Sequence, residues 1–162
     1  MGIRIREATS ADVNALITLS RKTISDSYSS FLGEKAVAAY IQSGAVDEYV
    51  ADNIQECAVI EQDGEIVGYS VHKADLIDLM MVDTDYHRRG LGTCLLRHVE
   101  DMLFAAYDTL MLESFQDNAK ANAFYRKCGW SEVRTFSDDE SSVEKIEFRK
   151  SRSDEPAAVS TH

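Results

Sequence analysis

The chain has 162 residues, of which 44% are hydrophobic and 28% charged, the make-up of one ordinary folded domain rather than of a disordered segment. Its 28 acidic residues against 17 basic ones give a net charge of −11. That balance argues against a nucleic-acid binder and against adhesion to anionic membrane, while it suits a cationic substrate or plain solubility.

The three cysteines, Cys57, Cys94 and Cys128, are widely spaced and form no CxxC, so neither a disulfide framework nor a zinc site is expected. No metal is expected. The start, MGIRIREATSADV, has no apolar leader run, and no 18-residue apolar stretch occurs. A reducing cytoplasmic setting without a membrane span is the expectation.

The alternation of Ile3 and Ile5 with Arg4 and Arg6 predicts a first strand over 3–7. Thr9 with Asp12 resembles a helix start, followed by Val13, Leu16, Ile17 and Ile24 on one face of a helix to about Ser25. A second helix follows Gly33, with Val37, Tyr40 and Ile41 inward and Gly44 as its stop; the acidic residues 45–54 read as a helical turn or loop. CAVIEQ, then Asp63-Gly64, then EIVGYSVHK is a hairpin signal, because the two turn residues must take positive φ. LIDLMMVD (76–83) is a nearly continuous apolar strand, expected to be buried. Leu91, Leu95, Val99, Met102 and Leu103 then repeat at helical spacing, and TLMLES (109–114) is another buried strand. A short helix over 119–127 closes at Gly129, and two weaker strands follow at 131–135 and 143–149. From Ser151 the polar SRSDEPAAVSTH reads as a disordered tail. The pattern is α+β: one domain over 1–150, with a central mixed, mostly antiparallel sheet and about four helices.

The stretch YHRRGLGTCLL (86–96) joins an apolar strand to a helix through Gly90 and Gly92. Backbone N–H groups at such a helix start point outward, the helix dipole adds positive potential, and glycine lets a phosphate come close. Arg88 and Arg89 add formal charge beside it. A P-loop would need GxxxxGK[ST], and a dinucleotide-binding turn would need glycine where Leu95 stands. The alternative is a glycine turn that only connects strand to helix.

VDTDYHRRGLGTCLLRHVE resembles the acyl-CoA-binding motif [QR]xxGx[GA] of the GNAT superfamily of N-acetyltransferases. NAKANAFYRKCGW (118–130) resembles the second motif of that family, NxxAxxFYxxxG followed by an aromatic, with Asn118, Ala121, Phe124, Tyr125, Gly129 and Trp130 in register. IREATSADV is similar to its usual opening, and the likeness covers about residues 3–149. His87 stands where the family has Gln or Arg, and Thr84 where proline is frequent. The resemblance implies a GNAT-like fold, acetyl-CoA as co-substrate, an amine acceptor and a homodimer. It also implies that residues 87–93 (His87, Arg88, Arg89, Gly90, Leu91, Gly92 and Thr93) grip the coenzyme phosphates. Backbone amides at Met80 to Val82 would hold the thioester oxygen and the pantetheine arm, and Asn118 would reach the pantetheine or a nearby carbonyl.

Acetyl transfer needs a deprotonated amine, a stabilised carbonyl oxygen and a proton for the departing thiolate. The resemblance gives the last role to Tyr125, whose phenol stays protonated at neutral pH. For the base, Asp78 and Glu113 interrupt otherwise apolar strands, where burial would raise a carboxylate into a useful range. Asp78 could instead anchor the substrate ammonium, and a water relay could replace a single base. Cys94 and Cys128 read better as core than as nucleophiles, and Trp130 likewise as core. The reading is direct attack in a ternary complex; the alternative is a catalytically silent acyl-CoA-binding module.

The resemblance implies that the acceptor pocket is shaped by about residues 23–52 and 134–144, which pair Tyr28, Phe31, Tyr40 and Tyr49 with Asp26, Glu34, Asp47 and Glu48, and add Asp138, Asp139 and Glu140; the alternative is a packed face beside a solvated one. Such groups suit a cationic amine. Tyr86–Val99 and Asn118–Ser131 contain no acidic residue, so the two coenzyme segments are basic islands in an acidic chain.

Overall fold

The computed structural model describes residues 2–137 and 143–152. Its strands are β1 (Ile3–Glu7), β2 (Cys57–Gln62), β3 (Glu65–Lys73), β4 (Leu76–Val82), β5 (Thr109–Phe115), β6 (Ser131–Ser137) and β7 (Glu144–Ser151). The helices are α1 (Val13–Leu32), α2 (Glu34–Gln42), α3 (Ala45–Asn53), α4 (Leu91–Phe104) and α5 (Ala119–Lys127). Strand order is β1-β2-β3-β4-β5-β7-β6. The sheet is mixed: β4 and β5 run parallel, and β1–β2, β2–β3, β5–β7 and β6–β7 antiparallel. Two compact units make up the chain, one of Met1–Lys73 with Asp78–Val99, the other of Ala74–Ile77 with Glu100–His162.

In the first unit the β2–β3 hairpin turns at Asp63 (φ 53°) and Gly64 (φ 88°), the positive-φ pair its sequence demands. Leu16, Leu19, Ile24, Val37, Val46 and Val50 from the helices pack on Val59, Tyr69, Val71 and Met81 from the strands. α1 runs seven residues beyond the predicted Ser25. Ser-rich sequence has weak helical preference, but Tyr28 and Leu32 find the core, and packing overrides propensity. α1 ends at Gly33, whose φ of 93° no side chain adopts easily. Residues 45–54 form a regular helix, not a mere turn, because Val46 and Val50 share its buried face. That brings the helices to five among the described residues. Tyr40, expected inward, is exposed.

Arg6 ties the start of this unit together. Its guanidinium donates to Asp12 at 2.9 and 3.0 Å and to Glu61 at 3.0 and 3.2 Å, while the Thr9 N–H reaches Asp12 at 2.8 Å. The Arg6 hydrogen bond holds the Asp12 carboxyl down to about 2. Gly68 on β3 permits close passage of the end of β4: a Cβ there would lie 2.8 Å from the Met81 carbonyl oxygen.

In the second unit Leu76 and Ile77 open β4 against Met111 and Leu112 of β5. β5 then pairs with β7 over its full length. Burial alternates along β5, with Leu110, Leu112 and Ser114 inward and Glu113 exposed. β7 extends to Ser151, and the Arg152 N–H donates to the Asp108 carbonyl at 2.8 Å. Ser151 and Arg152 therefore belong to the fold and not to the predicted tail, whose residues 153–162 lie outside the described residues. Glu100 accepts from Lys150 Nζ and from Trp130 Nε1, each at 2.8 Å, in the buried interior. Trp130 is core, as expected.

Candidate active site

In the first unit β4 places Asp78, Met80 and Val82 on one face, since every second residue points the same way. Asp78 is exposed, contrary to the buried carboxylate expected, and accepts a hydrogen bond from the Tyr49 hydroxyl on α3. Burial and that acceptor both hold the Tyr49 phenol in its protonated form.

Past Val82 the chain makes a 3-10 turn over Thr84–Tyr86 and enters the glycine loop. Arg88 (φ 67°) and Gly90 (φ 77°) both take left-handed backbone conformations. A Cβ at Gly90 would meet nothing within 4 Å, so glycine is needed there for its φ and not for space. α4 begins as the Cys94 N–H donates to the Gly90 carbonyl at 3.1 Å. By helix geometry this leaves the N–H groups of Leu91, Gly92 and Thr93 without intrahelical acceptors. Left-handed loop residues running into a helix start make an anion-binding concavity. Arg88 and Arg89 are exposed beside it, and Arg89 lies 5.0 Å over the Tyr86 ring. The donor set fits a diphosphate.

His87 does something else. Its Nε2 donates to the Val82 carbonyl at 2.8 Å, clasping the two ends of the loop. Arg88 and Arg89 are the exposed arginines of the loop.

In the second unit Glu113 is exposed on β5, opposite Glu147 of β7. Glu147 is buried, and Arg149 at 2.7 Å and Arg134 at 2.9 Å hold its carboxyl below the ordinary range. The burial expected to tune Glu113 is absent, because the inward positions of β5 are the alternate residues Leu110, Leu112 and Ser114. Asn118 caps α5, its side-chain oxygen accepting from the Ala121 N–H at 3.4 Å. Tyr125, 9% exposed, sits on that helix with its ring 5.5 Å from Phe124 and 5.7 Å from Phe148. Gly129, at φ 96°, ends the helical stretch.

The family profile described as Acetyltransferase (GNAT) family matches residues 22–130. The chain belongs to the GNAT family. The acetyltransferase is 28% identical over 121 residues to the uncharacterized protein YdhI of Bacillus subtilis, covering 73% of this chain and 72% of that one. Over 79 residues it is 35% identical to the [ribosomal protein bS18]-alanine N-acetyltransferase of Escherichia coli K12, covering 46% of this chain and 53% of the relative. Its fold matches that of the PaiA N-acetyltransferase of Thermoplasma acidophilum in complex with coenzyme A at a TM-score of 0.79 and 18% identity, covering 93% of this chain and 99% of that one. As a member of this family the protein is an acyltransferase of the N-acetyltransferase type.

The predicted site residues of the acetyltransferase fall in two groups. Asp78, Met80, Val82 and residues 87–93 belong to the first unit; Glu113, Asn118 and Tyr125 belong to the second. Of the acidic acceptor candidates, Asp47 is engaged by Arg21, and Asp26 accepts from Thr84 at 2.8 Å. Asp138, Asp139 and Glu140 lie outside the described residues. Cys94, expected in the core, is exposed on the first turn of α4, and Cys128 is half-buried. Among the described residues no cluster of three metal-ligating side chains occurs, and no helix is long and apolar enough to cross a membrane.

Two residues escaped the sequence reading. Asn122 is buried, and its amide donates to the Phe115 and Gln116 carbonyls at 3.1 Å each, fixing the turn into α5. An extra asparagine four residues after the motif's own was the available signal. Lys22 on α1 reaches Asp83, the first residue after β4. Nothing in its local sequence announces a partner 61 residues away.

Proposed function

We propose that this acetyltransferase moves an acetyl group from acetyl-CoA to the nitrogen of a cationic primary amine, by direct attack within a ternary complex. The observation that carries this reading is the loop over 87–93, where left-handed backbone, unpaired helix-start N–H groups and two exposed arginines converge. Arg88, Arg89 and the N–H groups of Gly90 to Thr93 take the coenzyme diphosphate. Backbone amides at Met80 and Val82 polarise the thioester carbonyl, and Asn118 supports the pantetheine arm. Tyr125 gives its proton to the departing thiolate, while Glu113, directly or through water, takes the proton of the amine.

Asp78 fits the acceptor. Tyr49 occupies its Oδ2 and orients the carboxylate, which leaves Oδ1 for a substrate ammonium. The bS18-alanine relative acts, by its name, on a ribosomal protein amine, so basic peptides stand beside small polyamines as acceptor candidates. One domain over residues 1–150 carries the whole activity.

Thiol release from acetyl-CoA, measured with polyamines, basic peptides and acidic amines side by side, tests the acceptor class. Cationic acceptors are expected to lead, and Asp78→Asn to lower kcat/KM for them about tenfold, as loss of a charge-assisted contact does. Faster turnover of acidic amines would overturn the assignment.

A further inference from the structure

Lys22 stands at the centre of a small charged knot. Its ammonium has three N–H donors and three acceptors on the turn after β4: Asp83, the Thr84 hydroxyl at 3.2 Å and Asp85 at 3.2 Å. Asp26, one helical turn further along α1, lies 3.8 Å from the same nitrogen and accepts from the Thr84 hydroxyl at 2.8 Å. Thr84 thus donates to one partner and accepts from the other, so donors and acceptors match. Asp83 also accepts from the Asp85 N–H at 2.9 Å, and its own N–H donates to the Val67 carbonyl at 2.8 Å. This turn leads directly into the glycine loop, with Asp85 two residues before His87.

We propose that Lys22 is a positioning residue for coenzyme binding: it ties the turn at 83–85 to α1 and offsets the carboxylates that would otherwise repel a diphosphate. Three carboxylates, Asp26, Asp83 and Asp85, share this one ammonium. Without it, their full charge sits beside a loop meant to receive an anion, within the roughly 10 Å reach of screened charges at moderate salt. Lys22 also fixes where the loop starts, since the turn hangs on its side-chain contacts to α1. The inference rests on the reading that residues 87–93 hold the diphosphate.

Calorimetric titration of CoA, with steady-state kinetics of the full chain, tests it on Lys22→Met, Lys22→Arg, Lys22→Met with Asp85→Asn, and Arg88→Ala with Arg89→Ala. Lys22→Met is expected to raise the CoA Kd and the acetyl-CoA KM about five- to tenfold, several exposed ion contacts being lost together, with kcat and the amine KM within about twofold. Lys22→Arg keeps near-normal affinity, and Asp85→Asn restores much of what Lys22→Met loses. The inference fails if Lys22→Met binds CoA normally while the double-arginine variant does not. It also fails if neither Lys22→Arg nor Asp85→Asn relieves the defect, the mark of a general folding fault. Normal CoA binding by the double-arginine variant would instead defeat the reading of the loop itself.

Discussion

Tyr125→Phe is expected to lower kcat about 100-fold or more, while the KM for acetyl-CoA changes by less than about twofold. The phenol would act only as the carbon–sulfur bond breaks, by protonating a thiolate whose conjugate acid has a pKa of about 8.5. An interaction made in the transition state alone appears in kcat and not in ground-state binding. The variant keeps the ring packed against Phe124 and Phe148, so thermal unfolding should stay near that of the wild type. Activity retained within a few-fold would remove Tyr125 from the proton transfer and leave water as the donor.

The second large effect is on stability. Glu100 and Lys150 are 2% and 3% exposed, and their 2.8 Å ion pair is completed by the Trp130 N–H and by the Cys128 carbonyl, which accepts from Lys150 at 3.0 Å. Lys150→Met removes one charge and strands the other in the interior. Breaking such a pair typically costs about 3–5 kcal/mol, a large share of the stability of a domain this size. Adding Glu100→Leu should recover a good part of that loss, because no buried charge then remains unpaired. Recovery stays incomplete, since Trp130 still lacks its acceptor. Urea midpoints of the two single variants and the double variant give the coupling directly. A Lys150→Met protein as stable as the wild type would mean that water reaches the pair.

Local signals carried well from sequence to structure. The Asp63-Gly64 turn was legible because only a few residues accept positive φ, and α5 because a patterned helix is closed by Gly129. The seven strands were legible through alternation and apolar runs. What periodicity could not show was which face of a strand stays open. An apolar run reads as buried on both sides, yet Asp78 and Glu113 lie on exposed faces of β4 and β5. α1 beyond Ser25 was hidden for a different reason: its serines give little helical signal, and its fate depends on packing by Tyr28 and Leu32. Charged partners were the least legible. Lys22 with Asp83 and Glu100 with Lys150 are separated by 61 and 50 residues, and no local rule links them. His87 shows a motif position keeping its place while its side chain serves another end, the clasp on Val82.

The GNAT motifs imply that the glycine loop grips the coenzyme rather than only joining strand to helix, and its left-handed backbone at Arg88 and Gly90 fits that use. Cys94, exposed at the start of α4, remains the natural rival to direct transfer, because an accessible thiol could carry the acetyl group first. Rapid-quench measurement of thiol release from acetyl-CoA, with and without a polyamine, separates the two routes. Direct attack predicts no burst without amine and, once amine is present, one acetylated nitrogen for each thiol released. A stoichiometric burst of thiol from enzyme and acetyl-CoA alone, or CoA binding with no amine-dependent release, would contradict it.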